Sequence, residues 1–207
     1  MYSIPSRVLP WMLAIGLIVS GSRLWMERPL HWGPGVLAAA EPLQTPIEGA
    51  AAVPAWIDEA VKLTPRAAFA AKVRVLSRER YRLDRLADAV PEDLAVGWGP
   101  MSDSAVINHL EISQSARFYS WRTDDPPIAL EEISRHSANW HIVPGNSAVA
   151  RTLKRIRPGD IITVDGELVD MDKPGRWFAR TSLTREDTGA GACEIILVNR
   201  LAILWRH

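Results

Sequence analysis

Ile161-Ile162-Thr163-Val164-Asp165-Gly166-Glu167-Leu168-Val169 decides the fold. Ile161, Thr163 and Asp165 alternate with Ile162 and Val164, the period of two that marks a strand. Gly166 permits a bend or bulge, and Leu168-Val169 continues the strand. Pro158-Gly159-Asp160 is the turn that opens it, and Lys173-Pro174-Gly175 turns the chain back. Trp177, Ala179, Thr181 and Leu183 then alternate with Phe178, Arg180 and Ser182 as a returning strand. Asp187-Thr188-Gly189-Ala190-Gly191 reads as a loop. Glu194 to Val198 is a final strand that Leu201 to Trp205 extends or follows.

Upstream, the same pattern recurs in shorter pieces. Trp140 to Val143 is a short strand closed by Pro144-Gly145. Between it and Ile161, the spacing of Val149, Leu153 and Ile156 is helical, with Arg151, Lys154 and Arg155 opposite. Arg117 to Arg122 is an aromatic strand, ended by Asp124-Asp125-Pro126-Pro127 because proline cannot donate to a ladder. Asp103 to Glu111 fits one short helix capped by Ser102 or Asp103, and Gly97-Trp98-Gly99-Pro100 is a turn signal. Phe69, Ala71, Val73 and Val75 alternate with Lys72 and Arg74. A strand near Ala70 to Leu76 is favoured there over a less regular helix, with a polar turn or short helix through Asp88. Trp56 to Leu63 reads as a short helix that Thr64-Pro65 stops or restarts. Short strands with glycine bends and one helix between them predict a mainly β domain with a few helices (α+β). Its expected architecture is a small OB-like or partly closed antiparallel barrel.

The N-terminus differs. Val8 to Ser22 is free of charge and flanked by Arg7 and Arg23. Its roughly 15 residues give about 22 Å of helix, short against a bilayer core of about 30 Å. Arg7 and Arg23 can snorkel outward, and Trp11, Trp25 and Trp32 suit an interface. A retained anchor is the preferred reading and a cleaved secretory signal the alternative; a buried soluble helix is a third. Both leading readings send the bulk of the chain across the membrane. The expected organisation is an anchor or signal over 1–25, a linker with a short helix over 26–63, and a β-rich domain over 64–207. Within the linker, Glu41 to Ala55 is rich in Pro and Ala and reads as a tether. The expected address is a bacterial inner membrane, crossed once, with the domain in the periplasm.

Composition narrows the function. The chain has 207 residues, 47% of them hydrophobic, enough for one ordinary core. Lys+Arg and Asp+Glu are both 24, so the basic field that nucleic acid requires is absent and no nucleic-acid partner is expected. Cys193 is the single cysteine, so no intrachain disulfide can form. It reads as a buried thiol in a strand; a reactive thiol needs a neighbouring base, which the sequence does not supply locally. No phosphate loop, paired-cysteine zinc motif or Gly-x-Ser-x-Gly elbow occurs. No cofactor or metal is called for.

His136-Ser137-Ala138-Asn139-Trp140-His141 gathers two imidazoles, a hydroxyl and an amide. In an extended segment His136 and His141 point to opposite faces, against a shared metal. Lys154, in Leu153-Lys154-Arg155-Ile156-Arg157-Pro158-Gly159-Asp160, superficially resembles the base segment of membrane-anchored signal peptidases, but no Ser-Met-x-Pro nucleophile motif accompanies it. A solvated helix face is the preferred account of Lys154. Arg117, Phe118, Tyr119, Trp121 and Arg122 form a basic-aromatic strand, read first as packing and second as a stacking platform.

The blocks Leu94–Asp103, Ile112–Trp121, His136–His141 and Ser182–Glu194 together resemble a family of uncharacterised bacterial membrane-anchored envelope proteins. The likeness spans roughly Val73 to Val198. It implies a bacterial source and a membrane-anchored domain, and carries over no catalytic residue. It highlights polar residues outside the core pattern: Asp103, Arg117, Tyr119, His136, Asn139, His141, Arg185 and Asp187. These are expected to converge at one mouth of the barrel as a binding cluster. The leading expectation is a membrane-anchored periplasmic domain that binds a protein partner or ligand without catalysis. The alternative is a membrane-anchored serine hydrolase or peptidase of Ser/Lys or Ser/His type; a third is an accessory of an envelope complex.

Overall fold

The computed structural model describes residues 28–47, 55–57, 59–184 and 192–205, the side chains of Trp56 and Trp205 excepted. The apolar segment 8–22, Arg185, Asp187 and the loop around them lie outside the described residues. Among the described residues no helix is long and apolar enough to cross a membrane.

The domain is mainly β. Its strands are β1 (Leu43–Pro46), β2 (Ala55–Ile57), β3 (Val61–Arg80), β4 (Glu92–Gly97), β5 (Glu111–Ser115), β6 (Phe118–Arg122), β7 (Ser137–Pro144), β8 (Ile161–Lys173), β9 (Trp177–Ala179) and β10 (Glu194–Trp205). Among the described residues three short α-helices lie between them, α1 (Ser104–Ile107), α2 (Leu130–Arg135) and α3 (Ser147–Leu153), and a 3-10 turn at Gly99–Ser102 precedes α1.

Strand β3 is the spine. Its first two-thirds pair antiparallel with β8, from Lys62↔Asp172 to Arg74↔Ile161. Its last third pairs with β4, from Arg74↔Gly97 to Arg80↔Glu92. Arg74 therefore marks the handover from one neighbour to the other. Strand β4 pairs antiparallel with β7, β7 runs parallel to β10, and β10 returns antiparallel to β8. The hydrogen-bonded path thus runs through five strands and comes back to β3, a partly ring-like sheet. Two sequence features permit this curvature. Pro65, which has no N–H, sits at a register shift in β3 where the ladder does not need one. Gly166 faces β10 so closely that a Cβ there would lie 2.1 Å from the Leu197 carbonyl oxygen. The glycine serves this close approach and stands at an irregularity of the ladder as expected: Val198 pairs with Gly166 and Arg200 with Asp165, so Asn199 is the extra residue of β10.

The interior of the ring holds Phe69, Val73, Leu94, Trp140, Leu168 and Ile196, with Val149 and Leu153 of α3 packed against them. Phe69 and Trp140 meet edge to face at 5.3 Å, a geometry the ring quadrupoles favour. Asn146 caps α3, its Oδ1 accepting from the N–H groups of Ala148 and Val149 at 3.0 Å each. The hairpin β5–β6 covers the outer face of the ring. Ile112, Tyr119 and Trp121 pack with Ile133 of α2 over Leu76 and Ala95. Every residue of β4 is consequently buried.

Three expectations require correction. The helix expected over Trp56 to Leu63 is a strand pair, with Ala55–Ile57 antiparallel to Val61–Leu63. Thr64-Pro65 does not stop the segment, because the register shift absorbs the proline. The stretch before residue 64 is not a free linker. Leu43–Pro46 pairs with Ala67–Ala70, inside the expected tether. Trp32 donates from Nε1 to the Gly159 carbonyl at 2.7 Å. Ala38 has no exposed surface, and its N–H donates to Ser102 Oγ at 3.0 Å. Finally, pairing after Lys173-Pro174-Gly175 covers only Trp177–Ala179, not the run to Leu183.

Candidate functional site

Strand registry assembles the site. Asp93 of β4 stands directly across from His141 of β7, and His141 stands across from Ile195 of β10. Leu94 and Trp140 turn into the ring, so Asp93, Asn139 and His141 turn outward, beneath the hairpin. Cys193 immediately precedes β10 and reaches the same place.

Asp93 has no exposed surface, and a buried carboxylate demands partners. Its Oδ1 lies 2.8 Å from Arg117 Nη1 and 2.9 Å from His141 Nδ1. The histidine N–H is not directed along that line, so the contact with His141 is an ion-pair approach, not an aligned hydrogen bond. Burial works against the imidazolium, but Asp93 and the Cys193 sulfur outweigh it and push His141 up to about 9. The Cys193 thiol lies 4.0 Å from the Arg117 carbonyl, to which it donates.

Arg117 arrives from the tip of the hairpin. Ser115 and Phe118 pair across a two-residue turn, Ala116-Arg117, with φ of 49° and 70°. Such turns favour Asn-Gly, because side chains resist positive φ. Here the strained conformation is held by contacts. The Arg117 N–H donates to Tyr81 Oη at 2.9 Å, and the guanidinium lies 3.7 Å from the centre of the Tyr81 ring. Beyond Asp93, the guanidinium donates to both Asp84 carboxylate oxygens and to the Val90 carbonyl. Arg117 is a clamp between hairpin and ring. It does not belong to a basic-aromatic stacking platform.

Asn139 ties these groups together. Its Oδ1 accepts from Gln114 Nε2 at 2.7 Å, and its Nδ2 donates to the Arg117 carbonyl at 3.0 Å. The same Nδ2 lies 3.8 Å from Cys193 Sγ.

A cavity of about 360 Å³ opens beside this cluster. Phe118, Tyr119, Ser120 and Trp121 of β6 form one wall, and Ser137, Ala138 and Asn139 of β7 another. Trp98, Ser134, Thr184, Ala192, Cys193 and Glu194 complete the lining. Burial pushes the Tyr119 phenol up to about 12, with the Ser137 hydroxyl opposing, so it is neutral in the physiological range.

The expected cluster therefore divides. Arg117, Asn139 and His141 meet around Asp93, and Tyr119 and Asn139 line the cavity. Asp103 lies elsewhere. Its Oδ1 caps α1 through Ala105 N and accepts from Gly35 N, 2.8 Å each, pinning the N-terminal segment. His136 ends α2, its Nδ1 2.9 Å from the Glu132 carbonyl, and meets the Trp98 ring. It does not join His141. Lys154 is exposed at the end of α3, and no serine hydroxyl is bonded to it among the described residues. Asp93 and Cys193 were not foreseen as partners. One signal was available: Glu92-Asp93 lies between Ala89-Val90 and Leu94-Ala95-Val96, and carboxylates inside an apolar run require buried cations.

No family model, curated protein or solved structure matches the chain. Its function is therefore read from the site itself.

Proposed function

We propose that this domain binds a small organic molecule in the cavity between the hairpin and the ring, while an N-terminal segment holds it at a bacterial membrane. The cavity carries the reading. Its volume falls in the range of small-molecule sites, and its lining pairs aromatic faces with a few hydroxyl and amide groups. Such a lining suits a ligand with one planar apolar face and a hydrogen-bonding edge. Glu194, the acidic side chain of the lining, disfavours an anionic ligand. The membrane address rests on the charge-free run Val8 to Ser22. An OB-like barrel is the finer architecture we favour. The cyclic pairing, the parallel contact of β7 with β10 and the position of α3 between β7 and β8 support it.

The test uses 4-nitroacetanilide, a neutral planar amide, titrated into the isotopically labelled full chain in deuterated detergent. Amide shifts are expected to cluster at Ser120, Ser137 and Asn139 and to saturate. Ala192→Trp, which fills the cavity from its rim, should abolish them. Shifts scattered over the surface, or unchanged by Ala192→Trp, would refute cavity binding.

A further inference from the structure

The cavity holds one strong nucleophile. Cys193 is the chain's single cysteine, is half-buried and lines the cavity wall. Structural roles account for it poorly. It has no second cysteine to join, and among the described residues no group of three potential ligands could hold a metal. What surrounds the sulfur is chemical. Asn139 Nδ2 lies 3.8 Å from Sγ and 3.5 Å from Asp93 Oδ2, Asp93 Oδ1 lies 2.9 Å from His141 Nδ1, and His141 shares the same face of the β7–β10 pair, near enough for the sulfur to act on its ring. A nucleophile beside a base that is oriented by an acid is the logic of covalent catalysis, whatever the fold.

We propose that Cys193 is a nucleophile for acyl transfer, taking the acyl group of an ester or thioester seated in the cavity, with His141 moving the proton and Asp93 positioning the ring. The proposal rests on the cavity reading and departs from the expectation of binding alone. The cavity favours this class over a peroxide, since its volume and aromatic wall fit an organic substrate.

The steps balance. Sulfur, its proton passed to His141, attacks the carbonyl carbon. The S–C bond forms and the C=O π pair moves to oxygen, with Asn139 Nδ2 beside the sulfur as the donor to that oxyanion. Collapse breaks the bond to the alkoxide or thiolate leaving group, which takes the proton from His141. Water then attacks the thioester. It gives one proton to His141 and its hydroxyl to carbon, the S–C bond breaks, and sulfur recovers the proton. The sum is RCO–X plus water to RCOOH plus HX, with no oxidant or cofactor. Because His141 is raised to about 9, the neutral ring that takes the thiol proton is the minor form at neutral pH, and the rate should rise with pH toward that value.

The experiment uses p-nitrophenyl acetate and the full chain in detergent. The native chain should release a burst of one nitrophenolate per chain and gain one acetyl group on the peptide containing Cys193. Per thiol, this should run at least about tenfold faster than in urea. Cys193→Ala should remove the burst. His141→Gln should slow it by about a hundredfold while 4-nitroacetanilide still binds. Asp93→Asn should slow it and move its pH profile to lower pH, since Asp93 is one of the groups that raise His141; Cys193 is the other, and Arg117 faces Asp93 from the hairpin. A folded chain no faster than the unfolded one, or acetylation away from Cys193, overturns the proposal. Full speed in His141→Gln overturns it as well. Binding of 4-nitroacetanilide without a burst rejects the chemistry and keeps the cavity; loss of that binding in the native chain rejects both.

Discussion

Arg117 Nη1 lies 2.8 Å from Asp93 Oδ1, and the carboxylate it meets has no contact with solvent. The pair joins the tip of a hairpin to the middle of the ring, so it couples the cavity wall to the sheet beneath it. The same oxygen lies 2.9 Å from His141 Nδ1. One buried anion thus holds two cations, one on the hairpin and one on the ring.

Removing Arg117 should be expensive for that reason. Arg117→Ala leaves Asp93 buried with half its compensation and strips the guanidinium's bonds to Asp84 and Val90. Breaking a buried pair by deleting one partner costs about 3–5 kcal/mol. Urea unfolding of the variant should show a loss in this range, and Arg117→Lys, which keeps charge but not the fork, an intermediate one. A loss below about 0.5 kcal/mol, the level of an ordinary surface change, would mean that the clamp contributes little.

How far this cluster could be read from sequence follows from its geometry. Alternation revealed β8 and the middle of β3, aromatic content revealed β6, short apolar runs revealed β7 and the start of β10, and helical spacing revealed α3, because each is a local pattern. Arg117, Tyr119, Asn139 and His141 stood out as polar groups beside apolar ones. Asp93 and Cys193 are 48 and 52 positions from His141. Only the pairing of β4 and β10 with β7 brings them to it, and registry between distant strands leaves no local trace. Asp103 and His136 look equally polar in sequence, yet one caps a helix and the other ends one. Short polar side chains serve such backbone roles as readily as chemistry.

His141 makes stability depend on pH. Its folded value of about 9 exceeds the ordinary 6.5, so the folded state binds the proton more tightly than the unfolded chain. The stabilisation is fully present below about pH 6.5 and is lost as pH rises through about 9. A shift of this size corresponds to about 3 kcal/mol at most. The groups responsible are Asp93 on β4 and Cys193 before β10, with Arg117 facing Asp93 from the hairpin. Urea midpoints should therefore fall between pH 6.5 and 9 in the native chain and stay flatter in His141→Gln. Parallel slopes in the two proteins would show that another group controls this range.

The N-terminal segment carries the last expectation, because it decides how closely the domain sits to whatever precedes it. Trp32 bonds to Gly159, Gly35 to Asp103, and Leu37 and Ala38 to Ser102 Oγ. Leu30 to Ala38 are therefore bonded into the folded unit. These contacts are few beside those of the ring, so the segment should open locally before the domain unfolds. Trp32→Ala removes one hydrogen bond and the packing of an indole, and Ser102→Ala removes the acceptor for two amides. In either variant, hydrogen exchange at Leu37 and Ala38 should accelerate by about tenfold or more, as loss of a bond worth about 1 kcal/mol plus packing requires. Exchange in β7 and β10 should stay unchanged. Acceleration in β7 as well would mean that the segment and the ring open as one unit. Unchanged exchange at Ala38 would mean that its protection comes from elsewhere, and the domain would then begin nearer residue 43, where β1 joins β3.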